Sequence, residues 1–284
     1  MMLLLIAIAI PLGLDLYLPV PEDNPLTLER IEQGRRLFLD RRLSRDGSIS
    51  CSSCHDPERA FADSRPVATG IAGRRGRRNS PALINRGYGR IFFWDGRIAT
   101  LEEQVLKPIE DPNEMDLPIS EAAARVNLRP DEISRALASF VRSILSGDSL
   151  FDRYINGDRD ALSAEQRAGL QLFRGKANCT ACHVGPNFTD EGLHNTGVAW
   201  LDNQLADRGA GKGDFKTPTL REIARTAPYM HDGSIATLED VIEFYDRGGR
   251  PNPNLDSEIR PLRLMPDEKK TLLAFLRILN GTVR

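Results

Sequence analysis

The sequence predicts a mainly α-helical chain of two tandem homologous domains, with little or no sheet. Three observations carry this. The motif Cys-x-x-Cys-His occurs twice, as Cys51-Ser52-Ser53-Cys54-His55 and Cys179-Thr180-Ala181-Cys182-His183, and uses all four cysteines. The segments around the two motifs repeat in the same order. Apolar residues ahead of each motif recur at helical spacing, while strand signals are scarce. In such a motif two thiols add across the haem vinyl groups and the histidine gives iron an axial nitrogen, so each half reads as a cytochrome c-like haem domain. A zinc ribbon would not leave 124 residues between its cysteine pairs. A redox dithiol has no need of a histidine after its second cysteine. Two covalently bound haem c groups are therefore expected, with no cysteine left for a disulfide.

The elements follow in chain order. Met1–Leu14 is apolar, with Leu3–Ile10 unbroken, and is too short to span a bilayer as an ordinary helix. Residues 1–23 read as an export signal or N-terminal anchor. Ala7-Ile8-Ala9 fits a small-x-small cleavage pattern, although the first basic residue is Arg30. Haem attachment of this kind belongs outside the bacterial cytoplasm, so a periplasmic location is expected. Residues 24–150 form the first domain and 151–284 the second. Helices before the motifs start at the N-caps Thr27 and Ser163 and carry Gly34…Leu37-Phe38 and Gly169…Leu172-Phe173. After the motifs come Phe61-Ala62-Asp63 and Phe188-Thr189-Asp190, then Ser80-Pro81-Ala82-Leu83 and Thr217-Pro218-Thr219-Leu220. Thirteen residues past each of those prolines, Trp94-Asp95-Gly96-Arg97-Ile98-Ala99-Thr100-Leu101-Glu102 mirrors His231-Asp232-Gly233-Ser234-Ile235-Ala236-Thr237-Leu238-Glu239. Each Asp-Gly turn leads to a threonine N-cap and a helix. The junction is expected in Ser146–Leu162, and a last helix over about Asp267–Leu279. The net charge of −2 gives no argument for nucleic acid. The basic run Arg74, Arg75, Arg77 and Arg78 reads as a solvated loop rather than a docking patch.

The repeat predicts that the two irons differ. Both receive a proximal histidine, His55 or His183. Fourteen residues beyond Trp94 and His231 stand Pro108 and Tyr245. A tyrosine oxygen can ligate ferric haem, whereas proline has no donor atom. Haem 2 is then six-coordinate and haem 1 open to a small ligand such as peroxide. Only His194 and His231 remain as further histidines, and Met115, Met230 and Met265 read as core filler. Near Pro108, the carboxylates Glu110, Asp111 and Glu114 are equal candidates for the group that moves a proton during O–O cleavage.

Taken together, Leu43-Ser44-Arg45-Asp46-Gly47, the two haem motifs, Asn79-Ser80-Pro81, Trp94-Asp95-Gly96-Arg97, Asn113-Glu114-Met115 and Thr226-Ala227-Pro228-Tyr229-Met230-His231-Asp232-Gly233 resemble the bacterial di-haem cytochrome c peroxidase and MauG superfamily. The resemblance implies that Glu114 is the distal acid/base, that Trp94 lies between the haems as an electron or hole relay, and that Gln104 belongs to the distal pocket. It also implies an inter-haem calcium ion held by Asn79 through its side chain and by Thr226 and Pro228 through their carbonyls. Two departures matter. Where reductively activated peroxidases carry a capping histidine, this chain has Ile71. Where they carry a methionine ligand it has Tyr245, the MauG-type residue. Against a strict MauG role, Ala177 stands two residues before the second motif, where MauG has a surface tryptophan.

The leading expectation is a di-haem peroxidase that reduces hydrogen peroxide at haem 1, fed through haem 2 by a small cytochrome c or cupredoxin. The alternative is a MauG-type enzyme that uses a high-valent di-haem state to oxidise side chains of a partner protein. An electron-transfer cytochrome without turnover would need two closed irons, against which Pro108 and Ile71 argue. A homodimer is common in the family.

Overall fold

The computed structural model describes residues 8–284, so Met1–Ala7, part of the expected export segment, lies outside it. Helix α1 (Leu28–Phe38) starts at Thr27, whose hydroxyl accepts the Arg30 N–H. Thr100 caps α2 (Leu101–Gln104), and Pro108 sits in the first turn of α3 (Lys107–Glu110), where a missing N–H costs nothing. Then come α4 (Ile119–Val126), α5 (Pro130–Ser143), α6 (Leu150–Ile155) and α7 (Ala164–Arg174), the last capped by Ser163. Thr237 caps α8 (Leu238–Asp246), and α9 (Pro266–Arg277) is the expected last helix. Among the described residues, sheet is confined to three two-stranded antiparallel ribbons. They are β1 (Ser146–Gly147) with β6 (Thr282–Val283), β2 (Leu193–His194) with β5 (Phe215–Lys216), and β3 (Trp200–Leu201) with β4 (Gln204–Leu205).

In each half the helix before the haem motif packs on the half's last long helix: α1 on α5, and α7 on α9. Gly34 and Gly169 permit the close approach, since a methyl group would strike the Ala136 carbonyl in one half and the Thr271 carbonyl in the other. Among the described residues, buried apolar side chains form two clusters, one running from Leu37 to Ile144 and one from Phe151 to Leu279. Each centres on a matched aromatic trio. Phe38 lies 5.1 Å from Phe140 and 5.9 Å from Phe61; Phe173 lies 5.2 Å from Phe275 and 6.1 Å from Phe188.

The repeat extends to backbone detail. Bridges at Phe92–Ile98 and Tyr229–Ile235 correspond, and Asn85 and Glu222 share a left-handed conformation, φ +58° and +59°. The halves meet reciprocally. The Asn79 N–H donates to the His231 carbonyl and the Lys216 N–H to the Trp94 carbonyl, both at 2.7 Å. Asn79 and Lys216 occupy the same place in the repeat, as do Trp94 and His231, so the halves are related by a pseudo-two-fold axis.

The junction is firmly built. It contains α6 and β1, and Asp152 in α6 forms a fully buried ion pair with Arg221, at 2.8 Å. The described part of the N-terminal segment lies across this region. Leu14 is buried, the Gly13 carbonyl accepts from Arg221, the Leu12 N–H donates to Asp148, and the Asp15 carbonyl accepts from Tyr88. Among the described residues, no helix is long and apolar enough to cross a membrane.

Candidate active site

One continuous cavity of about 590 Å³ is lined from both halves, a size typical of cofactor sites. His55 and His183 both line it, on short turns that close after each Cys-x-x-Cys segment: the His55 N–H donates to the Cys51 carbonyl and the His183 N–H to that of Cys179. The Nδ1 atoms sit 2.9 Å from the carbonyls of Phe61 and Phe188. That bond fixes ring orientation and turns Nε2 towards the cavity side as the nitrogen that could bind a metal. Burial pushes both imidazoles below their ordinary pKa, which keeps them neutral and able to bind metal. The four cysteines form no disulfide with one another, and burial raises the Cys51 and Cys179 thiols to about 12. Paired thiols at fixed spacing, carbonyl-anchored histidines and apolar walls fit two covalently attached haems.

On the His55 side the wall includes Phe92, Phe93, Gln104, Pro108, Asp111 and Glu114. The three candidate carboxylates separate here. Glu110 is exposed, and Asp111 accepts the Asn113 N–H at 2.8 Å. Glu114 is half-buried, and among the described residues its carboxyl meets no hydrogen-bond donor. Burial, with the charge of Asp111 adding and that of Arg97 opposing, pushes Glu114 up to about 7. Ile71 is buried outside the cavity, and its N–H donates to the Glu114 carbonyl at 2.9 Å, so the loop that carries it props the acid's backbone.

On the His183 side, Tyr245 projects from α8 into the cavity, at the place Pro108 takes in the first half. Burial pushes its phenol above the ordinary range, with the Cys182 and Cys179 thiols adding to the effect. The remaining histidines are otherwise engaged. His194 lies between Asp256 at 2.6 Å and Asp190 at 2.9 Å, and is raised to about 10 by the Cys182 thiol and these two carboxylates. His231 stacks on Phe215 with ring centres 3.6 Å apart. Cys182, Asp190 and His194 lie close enough to share an ion, but the motif commits Cys182 to haem and both His194 nitrogens are occupied. Of the methionines, Met115 is core as expected and Met230 packs against the second apolar cluster where it meets the cavity; Met265 is exposed and is not core filler.

Between the two sides stands Trp94, whose indole N–H donates to the Asn79 carbonyl at 2.8 Å. Asn79 is buried and gives its amide N–H to the Arg65 carbonyl; Thr226 and Pro228 line the cavity with it. The basic run is only partly solvated. Arg74, Arg75 and Arg77 are exposed, but Arg78 binds Asp95 of the first half at 2.7 Å and Asp207 of the second at 2.8 Å, and lies over Phe215. Sequence reading also missed the buried group of Arg86, Glu191 and Lys216 in the interface. Burial would raise Glu191, but Arg86 and Lys216 hold it down at about 2; burial, with Arg86 adding and Glu191 opposing, pushes Lys216 down to about 7. Single charged residues in loops gave no signal for these roles.

Comparisons agree with this geometry. Residues 28–160 match the family model described as di-haem cytochrome c peroxidase. The chain is 37% identical to methylamine utilization protein MauG of Methylorubrum extorquens, over 93% of this chain and 81% of that protein. It is 34% identical to cytochrome-c peroxidase IdrP1 of a Pseudomonas species, over 92% and 83%. A crystal structure of a MauG-like protein associated with microbial copper homeostasis superposes with a TM-score of 0.84 at 35% identity, covering 98% of this chain and 94% of that one.

Proposed function

This chain belongs to the di-haem cytochrome c peroxidase family, and from that premise we propose that it reduces hydrogen peroxide to water on the His55 side of the cavity, with electrons arriving by the His183 side. It is an oxidoreductase carrying haem c. The observation that carries the finer reading is the unequal pair at one place in the repeat. Pro108, without a donor atom, stands in the same wall as the half-buried carboxyl of Glu114, and Tyr245 takes the matching place opposite.

Cys51 and Cys54 would hold one haem by thioethers, with the His55 nitrogen offered to its iron; Cys179 and Cys182 would hold the other, with a nitrogen from His183 and an oxygen from Tyr245 offered to its iron. When bound, the haems supply the iron that takes peroxide and the path for two electrons. Glu114 accepts a proton from one peroxide oxygen and delivers it to the other, which leaves as water; with two electrons and two protons the products are two waters. A carboxyl raised to about 7 suits both directions of that transfer. The Gln104 amide lies in the same wall and can orient the reactant. Trp94 gives its indole N–H to Asn79 of its own half and accepts the Lys216 N–H of the other half at its carbonyl, and it serves as the relay. Asn79, Thr226 and Pro228 offer oxygens of the kind calcium prefers, with waters completing the shell. The two haem domains divide at about residue 150, the place is the periplasm, a small cytochrome c or cupredoxin is the donor, and a homodimer is the expected assembly.

The MauG-type reading, oxidation of side chains on a partner protein, is supported by Tyr245 and by the likeness to MauG. Ala177 weighs against its specific form, because this position is buried and lines the cavity. Electron paramagnetic resonance of the ferric protein before any reductant is added tests the site assignment. One high-spin and one low-spin haem are expected, and two low-spin haems that ignore peroxide would overturn both enzyme readings. Rapid peroxide turnover with reduced cytochrome c then favours the peroxidase, and poor turnover favours oxidation of a partner.

A further inference from the structure

The pseudo-two-fold axis gives each interface residue a counterpart. Counted from the matched prolines Pro81 and Pro218, Asn79 answers Lys216, Gly89 answers Thr226, and Ile91 answers Pro228. The calcium oxygens proposed above come from Asn79 of one half and from Thr226 and Pro228 of the other. Their mirror image is therefore Lys216 with Gly89 and Ile91. Backbone structure supports the match, because the single-turn helices Arg86–Tyr88 and Ile223–Arg225 precede these loops at the same spacing.

The mirror site is built around a cation. The Arg86 guanidinium donates to the Ile91 carbonyl at 2.8 Å, the counterpart of the Pro228 carbonyl, and to the Glu191 carboxylate at 2.7 Å. Lys216 Nζ lies 3.6 Å from the same carboxylate, and the Arg90 N–H donates to its other oxygen at 3.1 Å. The Arg86 and Lys216 side chains are each about 10% exposed and Glu191 7%, so the group is sealed from solvent. A carbonyl and a carboxylate converging on one point is the donor set of a hard cation. Here a guanidinium, which stays charged at any working pH, sits at that point.

We propose that the duplication left two pseudo-equivalent cation sites in the interface, and that in the second the Arg86 guanidinium, flanked by Lys216, takes the place of a divalent metal ion. One flank of Trp94 is then held through a site that exchanges its ion with solvent, and the other through a cation that cannot leave. The assignment of the first site rests on the calcium reading, and the test separates the two claims.

The holoprotein is stripped with a chelator and re-equilibrated with calcium, and bound calcium per chain is counted by atomic emission. Haem spectra serve as the control for folding. The variant Arg86→Ile with Lys216→Asn installs the residues of the other site and should bind one calcium more than the wild type. Arg86→Ile with Lys216→Met, which removes the same charges but supplies no ligand, should bind no extra ion. Lys216→Asn alone keeps the guanidinium in place and should bind no extra ion. Uptake equal to wild type in the Arg86→Ile, Lys216→Asn variant, extra uptake in Lys216→Asn alone, or equal extra uptake in the methionine variant, overturns the proposal. A wild type that binds no calcium, beside an Arg86→Ile, Lys216→Asn variant that binds one, would instead overturn the calcium reading and leave the role of the guanidinium standing.

Discussion

Glu114 is a carboxyl group placed where ionisation is costly, and that one fact fixes two expectations. Its folded pKa of about 7 lies above the ordinary 4.5, so the folded state holds the proton more tightly than the unfolded chain. Stability from this group is full below about pH 4.5 and is lost as pH rises towards 7, a penalty on the order of 3 kcal/mol. Glu114→Gln should flatten that part of the stability curve, measured by denaturant unfolding at pH 5 and pH 8. The same variant should slow peroxide turnover by roughly 10²-fold or more with haem content unchanged, since it can no longer accept a proton. In the wild type, activity should rise with pH through about 7 as the base form appears. Tyr245→Phe should alter the low-spin haem spectrum and leave the high-spin signal in place; an unchanged low-spin spectrum would remove Tyr245 from the iron. The motif histidines and cysteines were legible in the sequence because their chemistry demands fixed spacing. Spacing alone could not choose among Glu110, Asp111 and Glu114, since burial is decided by residues far away in the chain.

Among the elements, helix starts were the most readable feature. Thr27, Thr100, Ser163 and Thr237 all cap as their side chains allow, because capping is settled within three residues. The last helix was placed to within two residues at either end. Less was visible in Ser146–Leu162, where glycine and asparagine read as a junction while the structure builds a helix and a strand. The strand's partner is β6 at the far end of the chain, a pairing no local pattern encodes. Gly34 and Gly169 were legible as repeated residues, but their reason, the touching backbones of two helices, needed the fold. Gly169→Ala should push α7 away from α9 and cost about 1–3 kcal/mol, seen as a lower thermal midpoint. An unchanged midpoint would mean the helices can separate freely at that point.

For the whole molecule, the sequence disclosed two related halves but not how they close on each other. The clamps are charged residues from distant segments, such as Arg78 between Asp95 and Asp207, which as sequence look like ordinary surface charge. The buried pair of Arg221 and Asp152 joins the second half to the junction and, through the Gly13 carbonyl, to the N-terminal segment. Asp152→Ala would leave a buried guanidinium without its counter-charge and should cost about 3–5 kcal/mol in denaturant unfolding. A loss below 1 kcal/mol would show that Arg221 finds another partner or reaches water.

The reciprocal bonds of Asn79 to His231 and Lys216 to Trp94 have a consequence for how such a molecule can change. In an assembly of two identical chains, every substitution is made twice, once on each side of the axis. Here the two sides belong to one polypeptide, so each substitution is made once. A proline can stand on one side where a tyrosine stands on the other, and a tryptophan where a histidine does. Division of labour between two like centres is open to a fused pair and closed to a symmetric one.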